Sequence, residues 1–309
     1  MTIIVAGSTG LVGSAITRAL VSRGESVIGI NRKIVDLLDR DATFEFINSV
    51  KPDLVIDAAA IVGGIGANNN FPVDFLSKNL QIQNNLMDAS HVANVERFIF
   101  LGSSCIYPRN CPQPIKEDFL LTGILEPTNS SYAIAKIAGI ELIRSYRKQY
   151  NHKWISLMPT NMYGPFDNFE LNSSHVLPAL INKFVTAVKN GLNTVELWGS
   201  GKPKREFMYV DDLANAVLLC SEKYDSDLHL NVGTGVGVSI SDLAQLVGSL
   251  TGFSGELSWN SSKPDGTPVK ILDVSRIRKM GWVAETPLED GILKTISWFK
   301  DNYESIVKR

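Results

Sequence analysis

Thr2-Ile-Ile-Val-Ala-Gly7-Ser-Thr-Gly10-Leu-Val-Gly13 is a short run of β-branched and apolar residues that breaks into glycines at every third position. The run over 2–6 reads as a buried strand. The amphipathic stretch at 14–23, with Gly24 just past its end, reads as a helix. The glycines therefore occupy a strand-to-helix turn. Glycine lets the backbone turn tightly and approach a ligand closely, and the helix behind it offers unpaired N–H groups and a partial positive charge to an anion. Gly7, Ser8, Thr9, Gly10, Leu11, Val12 and Gly13 are thus candidate contacts for a dinucleotide pyrophosphate.

Outward from this turn the rhythm repeats. Residues 26–30, 53–60 and 97–103 read as strands, 41–50 and 74–93 as helices, and helix 132–149 with strand 154–159 extends the series. Parallel strands need crossover connections, so the pattern predicts an α/β fold built on a Rossmann-type doubly wound parallel sheet. Beyond about residue 160, helical patterns at 175–190, 211–223, 240–251 and 288–303 are separated by Gly-, Pro-, Ser- and Asn-rich segments, with no regular strand expected between each pair. The expected division is a dinucleotide-binding domain over 1–164, with a returning segment near 205–233, and a smaller mixed α/β substrate lobe over 165–309.

The 309 residues carry 30 Lys and Arg against 32 Asp and Glu, a net charge of -2, with 44% hydrophobic and 20% charged residues. That balance excludes a disordered chain or a coiled-coil rod and leaves no electrostatic footprint for nucleic acid, although a local basic cleft for one anionic ligand is compatible with it. Cys105, Cys111 and Cys220 are odd in number and lack CxxC spacing. Neither a disulfide framework nor a metal site is expected, and a reducing, cytoplasmic setting is. The N-terminus lacks a basic leader and no apolar run reaches about 20 residues, so no membrane partner is expected.

The choice of dinucleotide falls at the end of the second strand, where an acidic residue would hold a ribose 2′-OH. Asn31-Arg32-Lys33 stands there instead. Two cations suit a 2′-phosphate, so NADP is expected over NAD with Arg32 as its contact, and Asp36 is the nearest acidic alternative. Tyr132-Ala-Ile-Ala-Lys136 opens a helix, and a spacing of four puts both side chains on one face. A free phenol titrates near pH 10, so acid/base work at neutrality asks for about three units, roughly 4 kcal/mol, of stabilisation of its anion. A lysine one turn away, beside a nicotinamide, is expected to supply much of it. Ser103, at the end of the fourth strand, would donate to the substrate oxygen that Tyr132 protonates.

Longer motifs follow in order: Gly102-Ser103-Ser104-Cys105-Ile106-Tyr107-Pro108, Glu126-Pro127-Thr128-Asn129, Met158-Pro159-Thr160-Asn161-Met162-Tyr163-Gly164-Pro165, Ser174-His175-Val176, Trp198-Gly199-Ser200-Gly201 and Lys263-Pro264-Asp265-Gly266-Thr267-Pro268. With the YxxxK pair and the glycine turn, whose GxxGxxG spacing is that of short-chain dehydrogenases and reductases, the set resembles the GDP-L-fucose synthases, a family of extended short-chain dehydrogenase/reductases. The resemblance spans nearly the whole chain. It implies conversion of GDP-4-keto-6-deoxy-D-mannose to GDP-L-fucose, by epimerisation at C3 and C5 and then reduction of the C4 ketone with NADPH.

Carried over by motif position, the catalytic residues implied are Ser103, Cys105, Tyr132, Lys136 and His175, with Cys105 the base and His175 the acid. A thiol of pKa about 8.5 and an imidazole near 6.5 suit that work when tuned. Implied cofactor contacts are Leu101, Gly102, Ser103, Ser104, Lys136, Pro159, Thr160, Asn161, Met162 and His175. Implied substrate contacts are Lys183, Trp198, Arg205, Asp265 and Lys270: cations for a diphosphate, an aromatic for stacking and a carboxylate for hydroxyls. A homodimer through the helices at 74–93 and 132–149 is also implied. Thr9, Lys183 and Val269 depart from positions that are often basic or arginine in the family, which leaves Arg32 with more of the 2′-phosphate. They also leave open a C4 reductase or partial epimerase-reductase acting on a related GDP-keto-sugar, a 3,6-dideoxyhexose such as colitose or a 6-deoxyheptose. The 4,6-dehydratases of the same superfamily carry an acidic pair after the serine or threonine, where this chain has Ser104-Cys105.

Overall fold

The computed structural model describes residues 1–262 and 265–307. Lys263 and Pro264 of the last motif, and the final two residues, lie outside the described residues. The first half contains β1 (Thr2–Ala6), α1 (Leu11–Ser22), β2 (Ser26–Ile30), α2 (Arg40–Val50), β3 (Leu54–Asp57), α3 (Ile65–Asn70), α4 (Asn79–Val92), β4 (Arg97–Leu101), α5 (Ser130–Tyr150) and β5 (Ile155–Pro159). Then come β6 (Asn161–Tyr163), α6 (Val176–Lys189), β7 (Thr194–Trp198), β8 (Lys204–Tyr209), α7 (Val210–Lys223) and β9 (Leu230–Val232). The chain continues through β10 (Gly237–Ser239), α8 (Ile240–Thr251), β11 (Glu256–Asn260), β12 (Val269–Lys270), α9 (Ser275–Lys279), α10 (Leu288–Asp301) and α11 (Tyr303–Val307).

Six parallel strands form the main sheet in the order β2-β1-β3-β4-β5-β9. Helices cover both faces, α1 packing on α7, α2 on α4 and α4 on α5. Every residue of β3 and β5 is buried, as continuous apolar runs of this kind predict. Strand order reverses between β1 and β3, and the crevice at the C-terminal ends of strands beside such a switch point is where open α/β sheets bind ligands. A second apolar core gathers α6, α8 and α10 around Phe184, Leu243 and Phe299. It is joined by β7, paired with β11, and by β8, which pairs with β6, β10 and β12.

Four expectations need correction. The strands read over 53–60 and 97–103 stop at Asp57 and Leu101. The helix read over 74–93 divides into a π-helical turn, Asp74–Lys78, and α4. After residue 160, where no regular strand was expected between helices, β6 to β12 occur, and β9 completes the main sheet. Four of these strands, β6, β9, β10 and β12, run only two or three residues, too few for a two-residue alternation to register. The helix α3 was also unforeseen, because Ile65-Gly-Ala-Asn-Asn-Asn70 has no apolar period.

Candidate active site

The glycine turn is a tight cradle. Gly7 has φ +74°, and a Cβ there would lie 2.7 Å from the Ala58 carbonyl oxygen. A Cβ on Gly13 would lie 2.1 Å from the Gly7 carbonyl oxygen, so only glycine lets α1 sit this close to the loop before it. Gly10 precedes α1 without a side-chain cap, and no acidic residue occupies the first turn. The opening N–H groups are left for an anion.

From this turn a cleft of about 690 Å³ runs across the C-terminal edge of the sheet toward the second core. Leu11 and Val12 line one end, residues 101–104 and 159–162 with Lys136 its middle, and Lys183, Trp198, Arg205, Asp265 and Lys270 the other. Cys105, Tyr132 and His175 line it too. Gly7, Ser8, Thr9, Gly10, Gly13 and Arg32 lie outside that lining. Gly13 serves by packing α1 onto Gly7, and Arg32 is an exposed side chain past β2. The cradle, the uncapped helix and the continuous cleft together fit an extended dinucleotide.

Ser103 follows β4 and caps a single 3-10 turn, Ser104–Ile106. Its Oγ accepts from the Cys105 N–H at 3.2 Å, and its hydroxyl hydrogen is left to donate toward Tyr132. Tyr132 stands in the first turn of α5, its ring edge-on to Phe75 of the π-helical turn, centroids 6.3 Å apart. Enclosure in the cleft, then the charge of Cys105, pushes Tyr132 up from 10, and a bond with Ser103 only partly opposes them. Lys136 is buried, with Nζ donating to the Leu101 carbonyl at 2.9 Å and lying 4.7 Å from the centroid of Phe100. Burial lowers its pKa against the pull of Asp57. Asp57, at the end of β3, is raised to about 6 by burial, which outweighs Lys136 and the Ala59 N–H.

The sulfur of Cys105 meets two donors, Asn129 Nδ2 and Lys270 Nζ, each at 3.4 Å. His175 precedes α6 and opens onto the same cleft. Enclosure by the cleft walls, then the positive charge of Lys270, holds its imidazole below the ordinary 6.5. Lys183 Nζ donates to the Glu196 carbonyl at 2.7 Å and lies 5.4 Å from the centroid of Trp198, whose residue is 52% exposed. Asp265 accepts from the N–H and hydroxyl of Ser200, both at 2.7 Å, bonds that hold its carboxyl below the usual range. Burial lowers the Arg205 guanidinium while Cys105, Glu126 and Asp265 pull it back up.

Buried Glu206 arranges much of this wall. Its carboxylate accepts from the N–H groups of Leu272 at 2.8 Å and Gly235 at 2.9 Å, and its carbonyl accepts from Thr160 Oγ1 and Asn161 Nδ2. Sequence reasoning gave no role to Glu126, whose Oε2 takes a bond from Thr267 Oγ1 at 3.1 Å and pairs with Arg109 at 3.3 Å. It also passed over Asn68, whose Nδ2 is tied to the Gly63 and Gly64 carbonyls. Among the described residues, Asn68 Oδ1, Asn129 Oδ1 and Ser174 Oγ are buried without a partner, and all three residues line the cleft. The EPTN motif contained Glu126 and Asn129. Nothing in the run around Asn68 marked it out.

Among the described residues no group of three or more His, Cys, Asp or Glu side chains could hold a metal ion. Nor is any helix long and apolar enough to cross a membrane. The family model for the NAD dependent epimerase/dehydratase family matches residues 3–233. The chain is 50% identical over 308 residues to the "Probable GDP-L-fucose synthase 1" of Oryza sativa subsp. japonica, covering 99% of this chain and 94% of that protein. To the GDP-L-fucose synthase of Escherichia coli (strain K12) it is 46% identical, covering 98% and 97%. A GDP-6-OMe-4-keto-L-xylo-heptose reductase from C. jejuni superposes with a TM-score of 0.91 at 33% identity, covering 97% of this chain and 98% of that one.

Proposed function

We propose, on the premise that this chain belongs to the NAD dependent epimerase/dehydratase family and within it to the GDP-L-fucose synthases, that it converts GDP-4-keto-6-deoxy-D-mannose to GDP-L-fucose. It inverts C3 and C5 and reduces the C4 ketone with NADPH. One observation carries this reading. A thiol, an imidazole and a phenol, from the turn after β4, the start of α6 and the start of α5, line a single cleft that reaches the glycine turn.

Each of the three has a different proton to move. The C4 ketone acidifies the C–H bonds on either side of it. Cys105 takes a proton from one face, the bonding pair passes into an enolate with its charge on the C4 oxygen, and Ser103 and Tyr132 steady that oxygen by hydrogen bonds. His175 returns a proton from the opposite face. Tyr132, neutral because its enclosure disfavours the phenolate, then gives its proton to the C4 oxygen. NADPH, when bound, supplies the hydride for that last step.

The residues that would hold the cofactor are those of the glycine turn, 101–104, Lys136 and 159–162, with Arg32 toward the 2′-phosphate. Lys183, Trp198, Arg205 and Asp265 would hold the GDP-sugar. In this reading residues 1–164, with the return near 205–233, bind the dinucleotide and 165–309 mainly the nucleotide sugar. The protein works in the cytoplasm as a homodimer paired through α4 and α5. Ile134, 49% exposed on α5, supports that pairing. Turnover in D2O is the test. GDP-fucose carrying deuterium at both C3 and C5 is expected, whereas reduced sugar unlabelled at both carbons would mark a plain C4 reductase of a related GDP-keto-sugar.

A further inference from the structure

We propose that Lys270 is a catalytic residue of the epimerisation, its ammonium donating a hydrogen bond to the sulfur of Cys105 and so favouring the anionic, proton-accepting form of that sulfur. The inference rests on the reading above, in which Cys105 is the base. It changes the role of Lys270 from a grip on the substrate diphosphate to a part of the acid/base machinery.

Two donors converge on one sulfur, Lys270 Nζ from β12 and Asn129 Nδ2 from the turn before α5, each at 3.4 Å. A neutral thiol is a weak acceptor and gains little from either. A thiolate gains a charge-assisted bond from the ammonium and a second bond from the amide. Among the described residues Cys105 Sγ is the one hydrogen-bond acceptor within reach of Lys270 Nζ. Lys183 and Lys136, by contrast, each rest on a backbone carbonyl.

The position of Lys270 is built. It pairs with Arg205 in the β12–β8 register, its neighbour Ile271 donates to Gln113 Oε1 at 3.0 Å, and Leu272 is fastened to Glu206. On the other side Asp265 is tied to Ser200. Lys270 on β12, Arg205 on β8 and Tyr132 on α5 are the charged or titratable groups that face the sulfur, while Glu126 and Asp265 act on Arg205. The same ammonium disfavours an imidazolium at His175, which makes that ring a readier donor when it does carry its proton.

The step balances. The sulfur anion takes the proton, the C–H pair becomes the enolate, and a new S–H bond forms. The imidazolium gives its proton to the opposite face, the enolate pair becomes the new C–H bond, and both side chains reset by proton exchange with water. As the sulfur gains its proton the charge-assisted bond to Lys270 is lost, so the lysine sets how strongly the sulfur competes for that proton.

The measurement is iodoacetamide labelling of Cys105 in the substrate-free protein, followed by peptide mass spectrometry with Cys105→Ser as background. Lys270→Met is expected to slow labelling near neutral pH by about ten-fold and to move its pH profile toward higher pH, with Lys270→Arg recovering most of the rate. Deuterium entry from D2O should fall in parallel in kcat. Tight NADPH binding by each variant, read by fluorescence, reports that it is folded. Unchanged labelling in Lys270→Met with a raised KM for the keto-sugar would return Lys270 to substrate binding and overturn the proposal, while the overall reaction would stand. Undiminished deuterium entry in Cys105→Ser would instead overturn Cys105 as the base.

Discussion

In the proposed reduction Tyr132 is the proton donor, and its surroundings suit that role. Enclosure, then the charge of Cys105, favours the proton on its oxygen. Tyr132→Phe is therefore expected to reduce C4 reduction by about 10²–10⁴-fold while deuterium still enters C3 and C5. NADPH oxidation and NMR of the recovered sugar read the two separately. The Tyr132 and Lys136 pair is legible in sequence because one helical turn is a local distance. The direction of the phenol's titration is not. It depends on Cys105 and Asp57, which strands β4 and β3 deliver from far along the chain.

At the scale of an element, the turn into α1 leaves no room for a methyl group. Gly13→Ala would set a Cβ 2.1 Å from a backbone oxygen, so the loop must move. NADPH affinity is expected to fall at least about ten-fold and stability by about 1–3 kcal/mol, measured by fluorescence titration and urea unfolding. This turn was readable from its glycines alone. The π-helical turn before α4 was not, because its apolar spacing blends into the helix that follows, although it carries Phe75 to the ring of Tyr132.

The entry to β9 carries a second consequence. His229 is buried between Tyr107 Oη at 3.1 Å and Arg144 Nη2 at 3.3 Å. Burial first, then Arg144 and Arg276, pushes its imidazole down to about 4. An arginine donating to Nδ1 assigns the ring proton to Nε2, facing Tyr107. Between pH 6.5 and about 4 the unfolded chain binds a proton here that the folded one refuses, so stability falls as pH drops through that window and levels off below it. The effect is on the order of 3 kcal/mol. Asp57, raised to about 6, acts in the opposite sense, so the comparison of wild type with His229→Gln isolates the histidine. On going from about pH 7.5 to about pH 5, the urea midpoint of wild type should fall relative to that of the variant.

Across the whole molecule, two apolar cores meet along the cleft, and Glu206 fastens them by holding β12 and the loop before β10 with its carboxylate and residues 160–161 with its carbonyl. NADPH is expected to slow amide hydrogen exchange at 7–13, 101–104 and 159–162 and to leave α8, in the far core, unchanged. Equal protection of α8 would contradict the placement of the dinucleotide. The parallel sheet could be read from alternating strands and helices, since each unit announces its own period. The strands around β8 pair segments more than thirty residues apart and are too short to signal themselves.

The sheet and one wall of the cleft are separately built. Residues 62–68, 126–129 and 265–267 reach the cleft from loops or short helical turns, and none contributes a strand to the six-stranded sheet. Substitutions in these three segments can therefore reshape that wall of the cleft with every strand of the six-stranded sheet left in register.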